Sequence, residues 1–137
     1  MNRGELQQVA RIRLREAQVL LQANCWAGAY YLSGYAVECA LKACIAKGVR
    51  RHDFPDRDLV NRSYTHSLVQ LLQVARLDLA LKAETAHNRR LAAHGEKVKD
   101  WSDQSRYEQH GEQAAWALYV AITHPSDGVL RWIRQSW

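Results

Sequence analysis

The stretch Trp26–Lys47, WAGAYYLSGYAVECALKACIAK, decides the fold class of this chain. One set of its residues recurs every three or four positions, as residues do along one face of a helix. This stripe consists of Trp26, Tyr30, Ser33, Val37, Leu41, Cys44 and Ile45. A second face carries Tyr31, Tyr35, Glu38 and Lys42. The order of Glu38 and Lys42 favours an i,i+4 ion pair, and the whole pattern predicts a long helix that is buried on two faces.

Helical periodicity covers most of the remaining chain. Apolar spacing predicts helices over about 5–23, 65–75, 78–97 and 112–123, followed by a short last helix through Trp132. Segments 49–64 and 99–111 are polar and are interpreted as irregular, and Thr65 is the expected N-cap of the helix that follows it. No sustained alternation of period two appears. The sequence therefore predicts an all-α fold, a single domain over 1–137 arranged as an antiparallel up-down bundle of about four to six helices.

The composition excludes several classes of protein. The chain has 137 residues, of which 47% are hydrophobic and 24% charged, which suits one globular domain and excludes a fibre. No stretch is apolar for long enough to predict a membrane span. The 19 Lys and Arg exceed the 14 Asp and Glu, and the net charge of +5 permits a polyanionic partner without identifying one.

The cysteines bear on the cellular compartment. Cys25, Cys39 and Cys44 are odd in number and lack C-x-x-C spacing, so we expect small reduced thiols and neither a disulfide framework nor a zinc site. No apolar segment follows the basic N-terminal residues as it would in a secretory signal. A cytoplasmic location is expected, and neither a metal nor a cofactor is expected.

Three segments of the chain resemble one known family. Ala29–Ala43, AYYLSGYAVECALKA, resembles the second helix of the HEPN domain, which has aromatic and small residues before Glu and ends in Leu-Lys-Ala. Thr65–Leu68, THSL, is similar to the start of the next helix in that family. Asp100–Tyr107, DWSDQSRY, is similar to a later segment with Trp and Arg-Tyr. The segments occur in the family's order and involve nearly the whole chain.

The resemblance implies a set of functional expectations. HEPN domains are helical bundles that commonly form homodimers, and many are encoded beside a minimal nucleotidyltransferase as a toxin–antitoxin pair or an accessory subunit. Some bind nucleotides. Others are metal-independent ribonucleases that place an Arg-x(4–6)-His motif across the dimer cleft. For this chain the resemblance implies a homodimer with a nucleotidyltransferase as a partner and a nucleotide or RNA as a ligand.

The candidate catalytic pair is Arg89 and His94, which have the Arg-x4-His spacing. Imidazole is suited to accept the 2′-OH proton of RNA near neutral pH, and guanidinium is suited to stabilise charge on a phosphate. The two side chains lie about 140° apart around one helix, so a dimer or a helix end is needed to bring them together. Arg90 and Glu96 depart from the residues usual at their positions in the ribonucleases. The alternative is that Arg89, Arg90 and His94 lie on a solvated helix face.

Other residues are candidates for phosphate binding or for an interface. Arg90 and Lys97 contribute to a basic surface, and Arg106 and His110 share a face if residues 106–110 are helical. The alternative for both sets is a structural or solubilising role, and His66 is interpreted as structural. Tyr31 and Tyr35 are candidates for a dimer interface, with an intrachain core as the alternative.

Three function classes follow from these observations. The first is a helical module that engages a nucleotide or RNA, as an accessory or toxin–antitoxin partner of a nucleotidyltransferase. The second is a metal-independent endoribonuclease that uses Arg89 and His94. The third is a structural domain for dimerisation or interaction, with no ligand.

Overall fold

The computed structural model describes all 137 residues, Met1–Trp137, and contains helices and loops but no strands. Its eight α-helices are α1 (Arg3–Gln22), α2 (Trp26–Gly48), α3 (Arg57–Ser63), α4 (Leu68–Val74), α5 (Asp78–Thr85), α6 (Arg89–Lys99), α7 (Glu112–Thr123) and α8 (Val129–Arg134). A 3-10 helix spans Asp103–Tyr107 between α6 and α7. The predicted all-α class is confirmed. The helix count is higher than predicted, and the up-down arrangement stays a prediction.

The long helix α2 is the centre of the molecule. It contacts α1, α4, α7, α8 and the 3-10 helix, and 13 of its 23 residues are buried. Burial on two faces, predicted from its sequence, is confirmed. Substituting a large core residue of α2 such as Leu41 by Ala removes contacts that the neighbours cannot replace, at a cost of about 2–5 kcal/mol.

Small residues line the contact between α1 and α2. Alanines on both helices are fully buried, namely Ala10, Ala17, Ala29, Ala36, Ala40 and Ala43. Alanine adds little bulk at a helix surface, so the two backbones can pack closely. Ala10, Ala29 and Ala40 belong to one core cluster of 23 buried residues, which also draws on α4, α6, α7 and α8.

The extra helices come from polar residues that start helices locally. Asn88 accepts a hydrogen bond from the backbone N–H of Leu91 at 3.1 Å and begins α6, so the single helix predicted over 78–97 is wrong. The side chain of an Asn competes with helical backbone bonds and favours an N-cap position. Asp56 caps α3 in the same way, within the segment 49–64 that was predicted to be irregular. Ser67, rather than the predicted Thr65, is the N-cap of α4.

A glycine fixes the segment after α6 against α2. Trp101 is only 3% exposed, and a Cβ atom added at Gly34 would overlap its indole ring. The absence of a side chain at Gly34 therefore lets the indole lie directly on the backbone of α2. This contact positions the 3-10 helix that follows Trp101.

No helix of the structure combines the length and the apolar character that crossing a membrane requires.

Candidate functional site

The predicted catalytic histidine is held by the turn between α7 and α8. His94 is half-buried on α6, and its Nδ1 lies 2.7 Å from the backbone carbonyl oxygen of Asp127. A carbonyl oxygen can only accept, so Nδ1 must donate the hydrogen bond. In the neutral ring, Nε2 is then the unprotonated nitrogen. His94 therefore has its tautomer fixed with a lone pair on Nε2, as a general base requires.

A second histidine, His124, lies beside His94 with the opposite arrangement. Its Nδ1 accepts from the backbone N–H groups of Asp127 at 3.0 Å and of Ser126 at 3.3 Å. A neutral His124 consequently carries its proton on Nε2. The two rings have their centroids 5.3 Å apart and are tilted by 42°. Sequence spacing gave no signal for this pair, because His124 is thirty residues from His94 and reaches it only through the packing of α7 on α6.

The carboxylate of Asp127 links the start of α6 to the turn between α7 and α8 through two contacts. Its Oδ1 accepts from the side-chain amide of Asn88 at 3.1 Å, and its Oδ2 lies 3.8 Å from the guanidinium of Arg90. The hydrogen bond from Asn88 lowers the pKa of Asp127, and desolvation partly opposes this effect. We call the set of His94, His124, Asp127 and Asn88 the His94 centre.

The basic residues predicted on α6 do not all contact the His94 centre. Arg89, Arg90 and Lys97 are all exposed on α6. Arg90 and His94 both approach Asp127, whereas Arg89 forms no ion pair within the chain. A catalytic role for Arg89 and His94 stays a prediction.

Arg106 and His110 do not share a helix face. The 3-10 helix ends at Tyr107, so the condition under which the two side chains would be neighbours is not met. Arg106 is exposed, 3.9 Å from the carboxylate of Asp103. The ring of His110 stacks on Tyr30 at a centroid distance of 3.7 Å, and its Nε2 lies 3.0 Å from a carboxylate oxygen of Glu108.

The two predicted interface tyrosines pack within the chain. Tyr31 and Tyr35 are half-buried and stack with their centroids 6.1 Å apart. Tyr31 also stacks on Trp101 at 6.1 Å, and burial raises the pKa of Tyr35. These contacts fit the intrachain alternative, and a role in a dimer stays a prediction.

A second polar centre lies on α2, around a buried carboxylate, and we call its residues Glu38, Lys42 and His66 the His66 centre. Glu38 is 2% exposed. Its Oε1 accepts from Lys42 Nζ at 2.9 Å and lies 2.9 Å from Nδ1 of His66. Its Oε2 is buried without a hydrogen-bond partner. The ion pair that the sequence predicted between Glu38 and Lys42 is confirmed, and the buried carboxylate fixes the orientation of the imidazole of His66 in the way that a catalytic or ligand-binding histidine is oriented.

A pocket of about 570 Å³ adjoins this centre. We call it the His66 pocket, and its lining includes Tyr64, His66, Ser67, Lys99, Trp101 and Asp103. The three segments that resemble the HEPN domain meet here, since Glu38 belongs to the first, His66 to the second and Trp101 to the third. Sequence reasoning assigned His66 only a structural role, and the spacing of the segments gave no signal that they converge.

A second cavity of similar size is apolar. It measures about 570 Å³ and lies among α2, α4, α5, α6 and α8. Val37, Leu72, Leu81 and Trp132 are among its lining residues, and it holds neither of the histidine centres.

Comparison of the chain with protein-family models, with curated proteins and with solved structures finds no significant match. The fold and its two polar centres define an all-helical protein with three oriented histidines, His66, His94 and His124. Membership of the HEPN family stays a prediction that depends on the three segments.

Proposed function

We propose that this chain is a HEPN-type helical module that engages RNA through phosphate contacts at the start of α6. The observation that carries the proposal is the exposure of Arg89 and Arg90 at the start of the helix that also carries His94, whose Nε2 has no hydrogen-bond partner. Guanidinium groups bind phosphate oxygens in a planar, bidentate manner, and the net charge of +5 favours association with a polyanion.

The resemblance to HEPN domains supports the remaining parts of this proposal. They are a homodimer, an accessory or toxin–antitoxin role with a nucleotidyltransferase partner, and a cytoplasmic location. The three cysteines, all free thiols, are compatible with a reducing compartment.

The RNA-binding proposal is tested by a pair of double variants. Arg89→Gln/Arg90→Gln is expected to weaken binding of a labelled single-stranded RNA at least about tenfold, because phosphate contacts dominate affinity. The salt slope of log K should also fall by about one per lost contact. Fluorescence anisotropy at two salt concentrations measures both quantities.

The matched control is Arg50→Gln/Arg51→Gln, which removes the same charge from another exposed pair of adjacent arginines. We expect it to bind RNA nearly as the wild type does. Equal losses in the two double variants would show that RNA responds to net charge alone and would contradict a defined site on α6.

A second candidate function is metal-independent RNA cleavage, which the fixed tautomer of His94 favours. Nε2 of His94 would take the proton of the 2′-OH, and the 2′-oxygen would form a bond to phosphorus as the bond from phosphorus to the 5′-oxygen breaks. The 5′-oxygen would leave as an alcohol after it takes a proton from water. Arg89 would stabilise the phosphate, and in this candidate it comes from a second copy of the chain, since Arg89 and His94 of one chain lie about 140° apart around α6.

The cleavage candidate predicts a clear difference between two histidine variants. In the presence of EDTA, His94→Ala is expected to lower the rate of cleavage of a mixed single-stranded RNA by about 10²–10⁴-fold, since it removes the general base. His87→Ala, at an exposed residue in the link from α5 to α6, is the control and should retain the wild-type rate. Cleavage that persists in His94→Ala, or no cleavage by well-folded wild type, contradicts this candidate.

A further inference from the structure

The His66 pocket combines an oriented imidazole with unpaired nitrogen donors. His66 donates Nδ1–H to the buried carboxylate of Glu38, and 52% of its side-chain surface remains exposed. Its second nitrogen, Nε2, has no partner within the chain. Because Glu38 is itself held by Lys42 at 2.9 Å, the orientation of the ring does not depend on any ligand.

A further donor, on Lys99, and the buried indole of Trp101 belong to the same pocket. Lys99 is exposed at the end of α6 and forms no ion pair. Only 3% of the surface of Trp101 is exposed, and its indole Nε1–H is a buried donor with no acceptor in the chain. A buried donor without an acceptor is costly, and because the Nε1 atom is closed to solvent, the indole forms a wall of the pocket while Lys99 supplies its accessible donor.

The negative charges near the pocket are already compensated. The carboxylate of Asp103 lies 3.9 Å from the guanidinium of Arg106, and that of Glu38 is paired with Lys42. The unpaired charge of the pocket is therefore the ammonium group of Lys99, and an anion is the complementary ligand.

We propose that the His66 pocket binds a small phosphate monoester. A phosphate monoester has an ionisable oxygen with a second pKa of about 6, so it can share a proton with Nε2 of His66. Its other oxygens accept from the ammonium group of Lys99. A phosphodiester or a sulfate has no such proton near neutral pH, and the pocket therefore selects monoesters over both. The volume of about 570 Å³ lies in the range of small-molecule sites.

This inference does not depend on RNA binding at α6. The pocket selects against a phosphodiester, whereas the α6 surface is proposed to bind phosphodiesters. Either proposal can therefore fail while the other holds.

The test is a titration of the full-length chain with methyl phosphate, dimethyl phosphate and sulfate. The signal of the Trp101 indole N–H is assigned in a ¹H–¹⁵N spectrum by its loss in Trp101→Phe. We expect methyl phosphate to shift this signal with a dissociation constant at least about tenfold below those of dimethyl phosphate and sulfate. A parallel titration with AMP shows whether an aromatic base adds affinity through Tyr64, which is 81% exposed at the pocket.

Two variants assign the binding to the pocket. Lys99→Gln is expected to weaken binding of methyl phosphate about tenfold or more, whereas Lys47→Gln, an equal charge change at the exposed end of α2, should leave it unchanged. His66→Gln retains a polar side chain but cannot share the proton, so its preference for methyl phosphate over sulfate should disappear. Equal binding of the three anions by the wild type overturns the proposal, as do equal effects of Lys99→Gln and Lys47→Gln or the absence of any shift at the Trp101 signal.

Discussion

The two histidine centres of this molecule orient their rings by different means. His66 is oriented by a side chain, the carboxylate of Glu38, which lies at the centre of the most buried helix. His94 and His124 are oriented by backbone atoms of the turn at Ser126 and Asp127. A side-chain partner can be removed by one substitution, whereas backbone partners persist for as long as the turn is folded. We therefore expect the His66 centre to respond more strongly to single substitutions than the His94 centre.

The largest expected effect is at Glu38. Glu38→Ala leaves Lys42 and His66 without their acceptor and should lower the free energy of unfolding by about 3–5 kcal/mol, as measured by urea denaturation. The control is Glu16→Ala, which breaks a partly exposed ion pair with Arg13 of 2.7 Å. That loss should stay below about 1 kcal/mol. Similar values for the two variants would show that Glu38 does not organise its centre.

Two glycines, one near each centre, extend the comparison. Substitution by Ala should change the free energy of unfolding in opposite directions at the two positions. At Gly34 a methyl group overlaps the indole of Trp101, so Gly34→Ala is expected to destabilise the protein by about 1–3 kcal/mol. At Gly95, next to His94 on α6, no atom lies within 4 Å of an added Cβ. Gly95→Ala should therefore stabilise the protein by about 0.5–1 kcal/mol through helix propensity. Urea denaturation measures both changes, and a loss of stability at Gly95 would contradict the open space found there.

The smallest expected effect is the pH dependence that comes from Asp127. Its pKa is lower in the folded chain than in the unfolded chain, chiefly because Asn88 donates to it. The ionised carboxylate therefore contributes stability above the usual pKa of Asp, and this contribution is lost as the pH falls through the lowered folded value.

Asp127→Asn should accordingly show a smaller decrease in Tm than the wild type when the pH is reduced from about 5 to about 2. Asp53→Asn, in the exposed loop after α2, is the control for a change in net charge. Identical acid profiles for wild type and Asp127→Asn would show that the contact with Asn88 does not survive in solution.

Local sequence patterns predicted the parts of the fold that depend on near neighbours. The periodicity of α2 and the ion pair of Glu38 with Lys42 were both readable, because one helix turn relates the residues concerned. The break before α6 was missed, although Asn88 carried the signal for it. Apolar spacing continues across residues 86–88, and an N-cap that interrupts a periodic pattern is easily overlooked.

The candidate sites were less predictable, because distant segments build them. His66 reaches Glu38 across 28 positions and His94 reaches Asp127 across 33. Such contacts depend on which helices pack together, and spacing along one helix has no information on that. Arg106 and His110 show the reverse case, since their spacing suggested a shared face and the 3-10 helix ends between them.

The unequal burial of the helices has a consequence for how the molecule opens. Helix α2 is covered by α1, α4, α7 and α8, so we expect the amide hydrogens of its buried middle turns to exchange with solvent only when the whole fold opens. Helix α3 has no buried residue, and its amides can exchange through local fraying that leaves the core intact. We therefore expect Glu38 to lie on the slowest-exchanging segment of the chain, whereas α3, which leads into Tyr64 and the His66 pocket, can open and close many times during the lifetime of one folded molecule.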